Sequence, residues 1–217
     1  MAAEAQARGI AFLGAPVTGS KGQAALAKLI IWVGGETTDL ERCRPLLECI
    51  GSTTVHCGGQ GMGASLKMVM NQLLGTAMAA FAEGLVLGES LGLSRKVLFD
   101  ALLGGPAAAP FLALKRERFE SGNYEQADFP LRWLQKDLHL AAVSAYETGA
   151  AMPLTNTAKE IYRLAIREGH GSEDFSGIYD FLALTQGVQS MDNGHLNESE
   201  ALFRHESLHH ENAKPVQ

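Results

Sequence analysis

Residues 58–72, GGQGMGASLKMVMNQ, join a glycine-rich turn to the start of a long apolar run. Within them, Gly59-x-Gly61-x-x-Ala64 has the spacing of the dinucleotide-binding fingerprint, whose turn brings the backbone close to a pyrophosphate. A true fingerprint is followed by a short helix and a second strand that ends in an acidic residue. Here the helical pattern continues and no strand pattern follows it. The glycines therefore predict a tight strand-to-helix turn rather than a dinucleotide site.

The same stretch contains an isolated lysine. Apart from His56, Lys67 is the only charged side chain between Glu48 and Glu83, and its neighbours at helical spacing are small or apolar, with Asn71 one turn on. Lysine is rarely buried unless it is paired or functional, and burial lowers the pKa of an ammonium toward the range useful for proton transfer. A lysine can also cover core residues with its stem while its ammonium reaches water. The local residues leave both interpretations open.

Upstream of this stretch, residues 1–59 have an α/β pattern. An opening helix precedes three apolar, β-rich runs, namely IAFLGAPV, KLIIWVGG and TTVHCG. The segment TTDLERCRPLLECIG, which begins with a Thr/Asp capping signal, predicts a helix between the last two runs. We expect this region to form an α/β unit with a partial sheet.

Downstream, residues 60–187 show helical patterns only. A long helix is expected from about Gly63 to Leu91, followed by one that Ser94 caps and Gly104 ends. PFLALKRERFE predicts a shorter helix, LTNTAKEIYRLAIREG one with a Thr or Asn cap, and SEDFSGIYDFLAL a last short one. A further helix has its apolar residues on one face: Leu134, Leu138, Ala141, Ala142 and Ala145. Residues 188–217 are polar and predict a tail, so the chain is expected to be predominantly helical.

Composition excludes several classes of function. The net charge of −6 argues against a nucleic-acid or anionic-membrane partner. The three cysteines lack C-x-x-C spacing, and the N-terminus has no signal-peptide pattern, so we expect reduced thiols in a cytoplasmic protein. The longest charge-free run, Met68–Ala82, is shorter than the roughly 20 residues of a membrane span. His205 and His209 could share a helical face, but no third ligand follows from the spacing, so no metal site is expected.

Three stretches of the chain follow one another in a recognisable order: FLGAPVTGSKGQA, GQGMGASLKMVMN and FPLRWLQKDLHLA. In order and spacing they resemble the β-hydroxyacid dehydrogenase family, which includes 3-hydroxyisobutyrate dehydrogenases and glyoxylate/succinic semialdehyde reductases. The resemblance extends from about Ala2 to Leu182. It implies the C-terminal remnant of a Rossmann-like nucleotide-binding domain at 1–59. It also implies an all-α catalytic and dimerisation domain of the 6-phosphogluconate-dehydrogenase type at 60–187.

The loop GAPVTGSKG is the first candidate site. As a strand end that turns through Thr18, Gly19 and Ser20, it offers backbone N–H groups and two hydroxyls to an anion, although a plain turn has the same pattern. The resemblance implies that these three residues hold the substrate carboxylate. The run Gly19-Ser20-Lys21 that follows Thr18 is closest to the glyoxylate/succinic semialdehyde group. Thr18 replaces the family's usual serine, and its methyl could narrow the pocket.

The resemblance also implies the remaining site residues. Lys67 would be the catalytic lysine, Asn71 would orient the substrate, and Lys136, from the Lys136-Asp137 pair, would lie near the nicotinamide of NADP or NAD, with NADPH favoured. Taken alone, Lys136 faces away from the apolar face of its helix and is typical of a solvated lysine. The implied reaction is hydride transfer between the cofactor and a small carbonyl acid, with Lys67 as proton donor or acceptor.

The chain departs from the family pattern at its start. The family begins with a strand and a G-x-G-x-M-G turn that have no counterpart here, and its acidic residue before Ala-Pro is replaced by Gly14. Two functions are therefore weighed. One is an NAD(P)-dependent reductase acting on glyoxylate or succinic semialdehyde, expected by likeness to be a homodimer. The other is a truncated, non-catalytic remnant that acts only as a helical dimerisation module.

Overall fold

The computed structural model describes residues 1–106 and 108–185. The predicted tail at 188–217, with His205 and His209, lies outside the described residues. The first part of the chain is α/β and contains three helices and three strands: α1 (Ala2–Ala7), β1 (Val17–Thr18), α2 (Lys21–Ala25), β2 (Leu29–Gly34), α3 (Thr37–Glu48) and β3 (Gly51–Gly58).

The three strands form one sheet in the order β1-β2-β3. Strand β2 is central: it pairs antiparallel with β1 and parallel with β3. Its residues Ile31 and Val33 are fully buried and pack with Leu40 of α3 in a small core of their own. This is the partial Rossmann-like sheet expected from the β-branched runs.

The first predicted strand is much shorter than its sequence indicates. Between Ile10 and Val17 the only pairing is an isolated antiparallel bridge of Gly14 with Gly34, and the regular strand begins at Val17. Pro16 has no N–H to donate and contributes only its carbonyl, which accepts from Trp32 N at 2.9 Å. The segment is extended but hydrogen-bonded along one side only, so a full strand does not form among the described residues.

Seven helices make up the rest of the described chain: α4 (Met62–Ser90), α5 (Arg95–Leu103), α6 (Pro110–Ala113), α7 (Arg116–Ser121), α8 (Leu131–Thr148), α9 (Pro153–Arg167) and α10 (Ile178–Thr185). The long helix is confirmed, and so are the caps of α5, where Ser94 accepts from the N–H of Val97 and Gly104 ends the helix. The predominance of helix is also confirmed.

Some helix boundaries were predicted wrongly. PFLALKRERFE forms two short helices, α6 and α7, instead of one. Helix α9 begins at Pro153 after Met152, without the expected Thr or Asn cap, and α3 follows Glu36, whose side chain makes no capping hydrogen bond. Proline at the first position of α9 has no N–H to satisfy and already has a helical φ, so no capping side chain is needed there.

Helix α4 is the centre of the helical core. Its buried residues pack against α8, α9 and α10, and Gly75 allows a close approach because a Cβ there would lie 2.9 Å from Leu138 Cδ2. The hydroxyl of the fully buried Tyr162 donates to the carbonyl oxygen of Gly75 at 3.2 Å. The fold of the second half is therefore a layer of helices around one long helix.

By length and composition α4 could cross a membrane, in contrast to the expectation from its charge-free run. The helix has 29 residues, and 44% of its most apolar window is buried within the fold. Core helices of soluble proteins pass the same test, so this length is weak support for a membrane location.

The start of α4 packs directly on the sheet. A Cβ at Gly63 would collide with the carbonyl oxygen of Trp32 and would lie 3.0 Å from the backbone N of Gly34. Only glycine permits this contact, because any side chain would push the helix away from β2. Gly63 therefore serves helix-to-sheet packing, while Gly58 and Gly61, both with positive φ, form the tight strand-to-helix turn that the sequence predicts.

A buried ion pair joins the later helices. Lys115 Nζ lies 2.8 Å from Asp174 Oδ2, and both residues are almost fully buried. Burial by itself would raise the pKa of Asp174. The hydrogen bond and positive charge of Lys115, together with hydrogen bonds from Ser176, hold that pKa below its usual value. The pair fixes the start of α7 against the short 3₁₀ turn at Phe175–Gly177.

We expect Gly63→Ala to lower the free energy of unfolding by about 1–3 kcal/mol, because the methyl overlaps the Trp32 carbonyl. Gly84→Ala is the matched control on the same helix: its Cβ would meet nothing within 4 Å, so the substitution should be neutral or stabilising by up to about 1 kcal/mol. Urea unfolding followed by circular dichroism measures both. Equal effects of the two substitutions would contradict the close contact.

We expect Lys115→Met to destabilise the fold by about 3–5 kcal/mol at neutral pH, because the buried Asp174 carboxylate loses its nearest cation and keeps only Arg118 Nε at 3.8 Å. The difference in free energy of unfolding between Lys115→Met and the wild-type chain should shrink as pH falls and Asp174 becomes protonated. A carboxyl whose pKa is lowered in the folded state contributes stability only above that pKa. Lys96→Met, which breaks an exposed ion pair with Asp100, should change stability by less than about 1 kcal/mol. A loss of stability in Lys115→Met that did not depend on pH would argue against the unpaired Asp174 charge as its cause.

Candidate active site

Helix α4 carries Lys67 to the sheet. Gly63 and Lys67 are one turn apart on the same face, so the contact of Gly63 with β2 also directs the lysine toward that sheet. Lys67 Nζ lies 3.4 Å from Thr18 Oγ1 of β1 and donates to it. The structure thus brings together the lysine and one of the three predicted loop residues.

The ammonium of Lys67 lies in a partly buried position. Burial lowers the pKa of Lys67 below its usual value, and the negative charge of Asp137 partly offsets that decrease. Of the two interpretations left open by the sequence, this environment favours the functional one, since a lysine that only covers core residues keeps its ammonium in water.

Thr18 has a second donor that the sequence analysis missed. Trp32 Nε1 of β2 donates to Thr18 Oγ1 at 2.9 Å. The two residues lie on neighbouring strands, near the register pair of Thr18 with Ile30. No local pattern identifies Trp32, because its role depends on strand pairing that only the fold reveals.

The other predicted loop residues face different partners. Ser20 begins α2, and its hydroxyl donates to Gln23 Oε1 at 2.5 Å, so this hydroxyl is engaged within its own helix. Gly19 has a φ of 136°, and a Cβ there would lie 2.7 Å from Leu29 Cδ2, which explains a glycine in this turn. Among the described residues, the hydrogen bond of Lys67 goes to Thr18, not to Ser20, and Gly19 has no side chain to offer.

A carboxylate links the remaining two predicted residues. The amide of buried Asn71 donates to Asp137 Oδ2 at 2.6 Å, and Lys136 Nζ lies 2.5 Å from Asp137 Oδ1. Asp137 also acts on the Lys67 ammonium through its charge. The sequence analysis named Asp137 only as the neighbour of Lys136, yet it is the residue that connects α4 with α8 at the site.

The arrangement presents two cationic side chains and an amide near the Asp137 carboxylate, with the Thr18 hydroxyl beside one of the cations. Lys136 is half exposed, so its ammonium remains available to an incoming anionic or polar group. Among residues 1–106 and 108–185, no group of three or more His, Cys, Asp or Glu could hold a metal ion. The ammonium, hydroxyl and amide groups present here are suited to proton transfer and anion binding.

Two family models match the chain. The model described as NAD-binding of NADP-dependent 3-hydroxyisobutyrate dehydrogenase matches residues 61–182, and the NAD binding domain of 6-phosphogluconate dehydrogenase matches residues 1–59. The first match covers more than half of the chain.

Individual relatives agree with these matches. Glyoxylate/succinic semialdehyde reductase 2, chloroplastic, of Arabidopsis thaliana is 36% identical over 80% of this chain and 48% of its own length. An NAD-dependent L-serine dehydrogenase of Pseudomonas aeruginosa is 35% identical over 85% of this chain and 64% of its own length. The chain thus spans about half to two thirds of the curated relatives it matches.

A solved structure supports the same relationship. The 3-hydroxyisobutyrate dehydrogenase of Mycobacterium tuberculosis, determined with L-serine, aligns with a TM-score of 0.76 and 33% identity over 83% of this chain and 64% of that protein. Together with the family model over residues 61–182, it shows that the chain belongs to the β-hydroxyacid dehydrogenase family.

Proposed function

We propose that this chain carries the substrate-binding and catalytic residues of an NAD(P)-dependent β-hydroxyacid dehydrogenase. The observation that carries the proposal is the contact between the partly buried Lys67 ammonium and the Thr18 hydroxyl, 3.4 Å apart across the junction of α4 and the sheet. In this proposal Lys67 is the proton donor and the neighbouring Thr18 hydroxyl binds the anionic group of the substrate. In this proposal residues 1–59 and 60–187 are two domains that meet at the site.

Lys67 would exchange the proton of the reaction. As an ammonium it donates a proton to the carbonyl oxygen of the substrate during reduction, and as a neutral amine it accepts the hydroxyl proton during oxidation. Burial lowers the pKa of Lys67 and so favours the neutral amine, while the charge of Asp137 favours the ammonium. Asn71, fixed by Asp137, would orient the substrate through the remaining capacity of its amide.

The residues present fit a nicotinamide cofactor. Lys136 is half exposed beside Asp137, which leaves its ammonium partly free to contact the cofactor, NADP or NAD, with NADPH favoured. When bound, that cofactor supplies or accepts the hydride. The residues of this chain position the substrate and move the proton.

The substrate class follows from the anion-binding hydroxyl. Thr18, with the backbone of Gly19, would hold the carboxylate of a small carbonyl or hydroxy acid. Glyoxylate or succinic semialdehyde is favoured because the Arabidopsis thaliana relative is named for them. L-Serine comes next, as the named substrate of the Pseudomonas aeruginosa relative and the compound in the Mycobacterium tuberculosis structure.

A second candidate function is a helical dimerisation module without catalysis. It is supported by large apolar side chains of α4 that are exposed in the single chain: Met62, Val69, Leu73 and Leu87. A homodimer that covered these residues would be consistent with either candidate. The two differ in whether Lys67 matters for turnover.

We expect the purified chain to oxidise NADPH with glyoxylate, and Lys67→Ala to lower kcat by about 10²–10⁴-fold through loss of the proton donor. Lys28→Ala, at an exposed position, is the matched control and should keep full activity. Absorbance of NADPH follows both reactions. Absence of turnover in the wild-type chain, with an intact dimer in sedimentation, would favour the dimerisation module instead.

We expect the rate of reduction to fall as pH rises through the pKa of Lys67, because only the ammonium donates a proton. Asp137→Asn removes the charge that raises this pKa, so the fall should begin at lower pH. Glu83→Gln, at an exposed position of the same helix, should leave the profile unchanged. NMR of ¹³C-labelled lysine reports the same titration without turnover, and an unmoved Lys67 signal in Asp137→Asn would refute the coupling.

A further inference from the structure

Trp32 contacts both elements of the proposed site. Its indole Nε1 donates to Thr18 Oγ1 at 2.9 Å, while its carbonyl oxygen is the group against which Gly63 of α4 packs. Gly63 lies one turn before Lys67 on the same helix. A single residue of β2 therefore sets the position of the hydroxyl and of the helix that carries the ammonium.

The hydrogen bonds of Thr18 restrict where its proton can go. A hydroxyl has two acceptor lone pairs and one O–H donor. Trp32 Nε1 and Lys67 Nζ both donate to Thr18 Oγ1, so the acceptor capacity is filled by N–H groups. In the described part of the chain no acceptor receives the Thr18 proton, so that proton is left for a group from outside.

We propose that Trp32 is a positioning residue for Thr18. By occupying one lone pair of Thr18 Oγ1, it directs the O–H of Thr18 to donate to the substrate carboxylate. This inference rests on the proposed function, because it concerns the same anion site. A carboxylate oxygen accepts and cannot donate, so it matches a hydroxyl whose lone pairs are already used. Without the indole N–H, Thr18 Oγ1 regains a free lone pair and its proton is no longer held toward the site.

Such an arrangement selects for acids. An alcohol or amide in the place of the carboxylate can also present a donor, but Thr18 Oγ1 has no free lone pair to receive it. The indole ring belongs to the central strand of the sheet, so the hydroxyl is held before the substrate arrives. Trp32 would thus contribute to substrate specificity without touching the reacting carbon.

The test measures binding of glycolate, with NADP⁺ present, to the wild-type chain and to Trp32→Phe, Thr18→Val and the double variant. Titrations followed by two-dimensional ¹H–¹⁵N NMR suit weak binding. We expect Trp32→Phe to weaken glycolate binding by roughly threefold to tenfold, the effect of one hydrogen bond. In the Thr18→Val background the same substitution should have no further effect, because the hydroxyl it acts through is gone.

Two outcomes would overturn the proposal while leaving the proposed function intact. One is equal glycolate binding by Trp32→Phe and the wild-type chain, with Lys67→Ala still impaired. The other is a loss from Trp32→Phe that persists in the Thr18→Val background, which would mean that the ring acts only by packing. Failure of the wild-type chain to bind glycolate would overturn both the inference and the proposed function.

A second measurement keeps the test decisive if Trp32→Phe does not fold. The chain contains two tryptophans, so Trp133→Phe assigns the remaining indole N–H resonance to Trp32. Thr18→Val should move this resonance upfield and speed its hydrogen exchange, because the indole loses its acceptor. An unchanged Trp32 resonance in Thr18→Val would overturn the proposal.

Discussion

The candidate site depends on one backbone contact, that between the first turn of α4 and the carbonyl of Trp32. No side chain fits at Gly63, so the helix axis is fixed at the distance of two backbones in contact. A helix seated this closely carries its next turn into reach of the neighbouring strand, and Lys67 meets Thr18 for that reason. Gly63, just after the glycines that resemble a nucleotide fingerprint, is thus explained by the contact that brings Lys67 to the sheet.

The site also depends on the Asp137 carboxylate and the groups that share its negative charge. Asp137 is shared by the amide of Asn71, the ammonium of Lys136 and, at longer range, the ammonium of Lys67. Removing water from Lys67 favours the neutral amine, and the nearby carboxylate opposes that tendency. These two opposing effects set the pKa of Lys67, on which its proposed role as a proton donor and acceptor depends.

Much of the architecture was predictable from local pattern. The long helix, the caps of α5 and the central and last strands follow from periodicity and turn residues within each segment. The break between α6 and α7 and the short extent of β1 were not predictable, since they depend on what packs or pairs with each segment. The same holds for the site: Lys67 was conspicuous in its own helix, whereas Trp32 acquires its role only when β1 lies beside β2.

The extended segment before β1 has a practical consequence. From Ile10 to Pro16 the backbone pairs along one side only, and Pro16 is the one residue there that cannot donate a hydrogen bond. In the part of the chain that the structure describes, the backbone groups of Ala11, Leu13 and Ala15 have no hydrogen-bond partner, so an extended strand from another chain has room to pair there, next to exposed Ile10. We expect concentrated solutions of this chain to tend toward edge-to-edge assembly, and a charged residue in place of Ile10 to improve solubility.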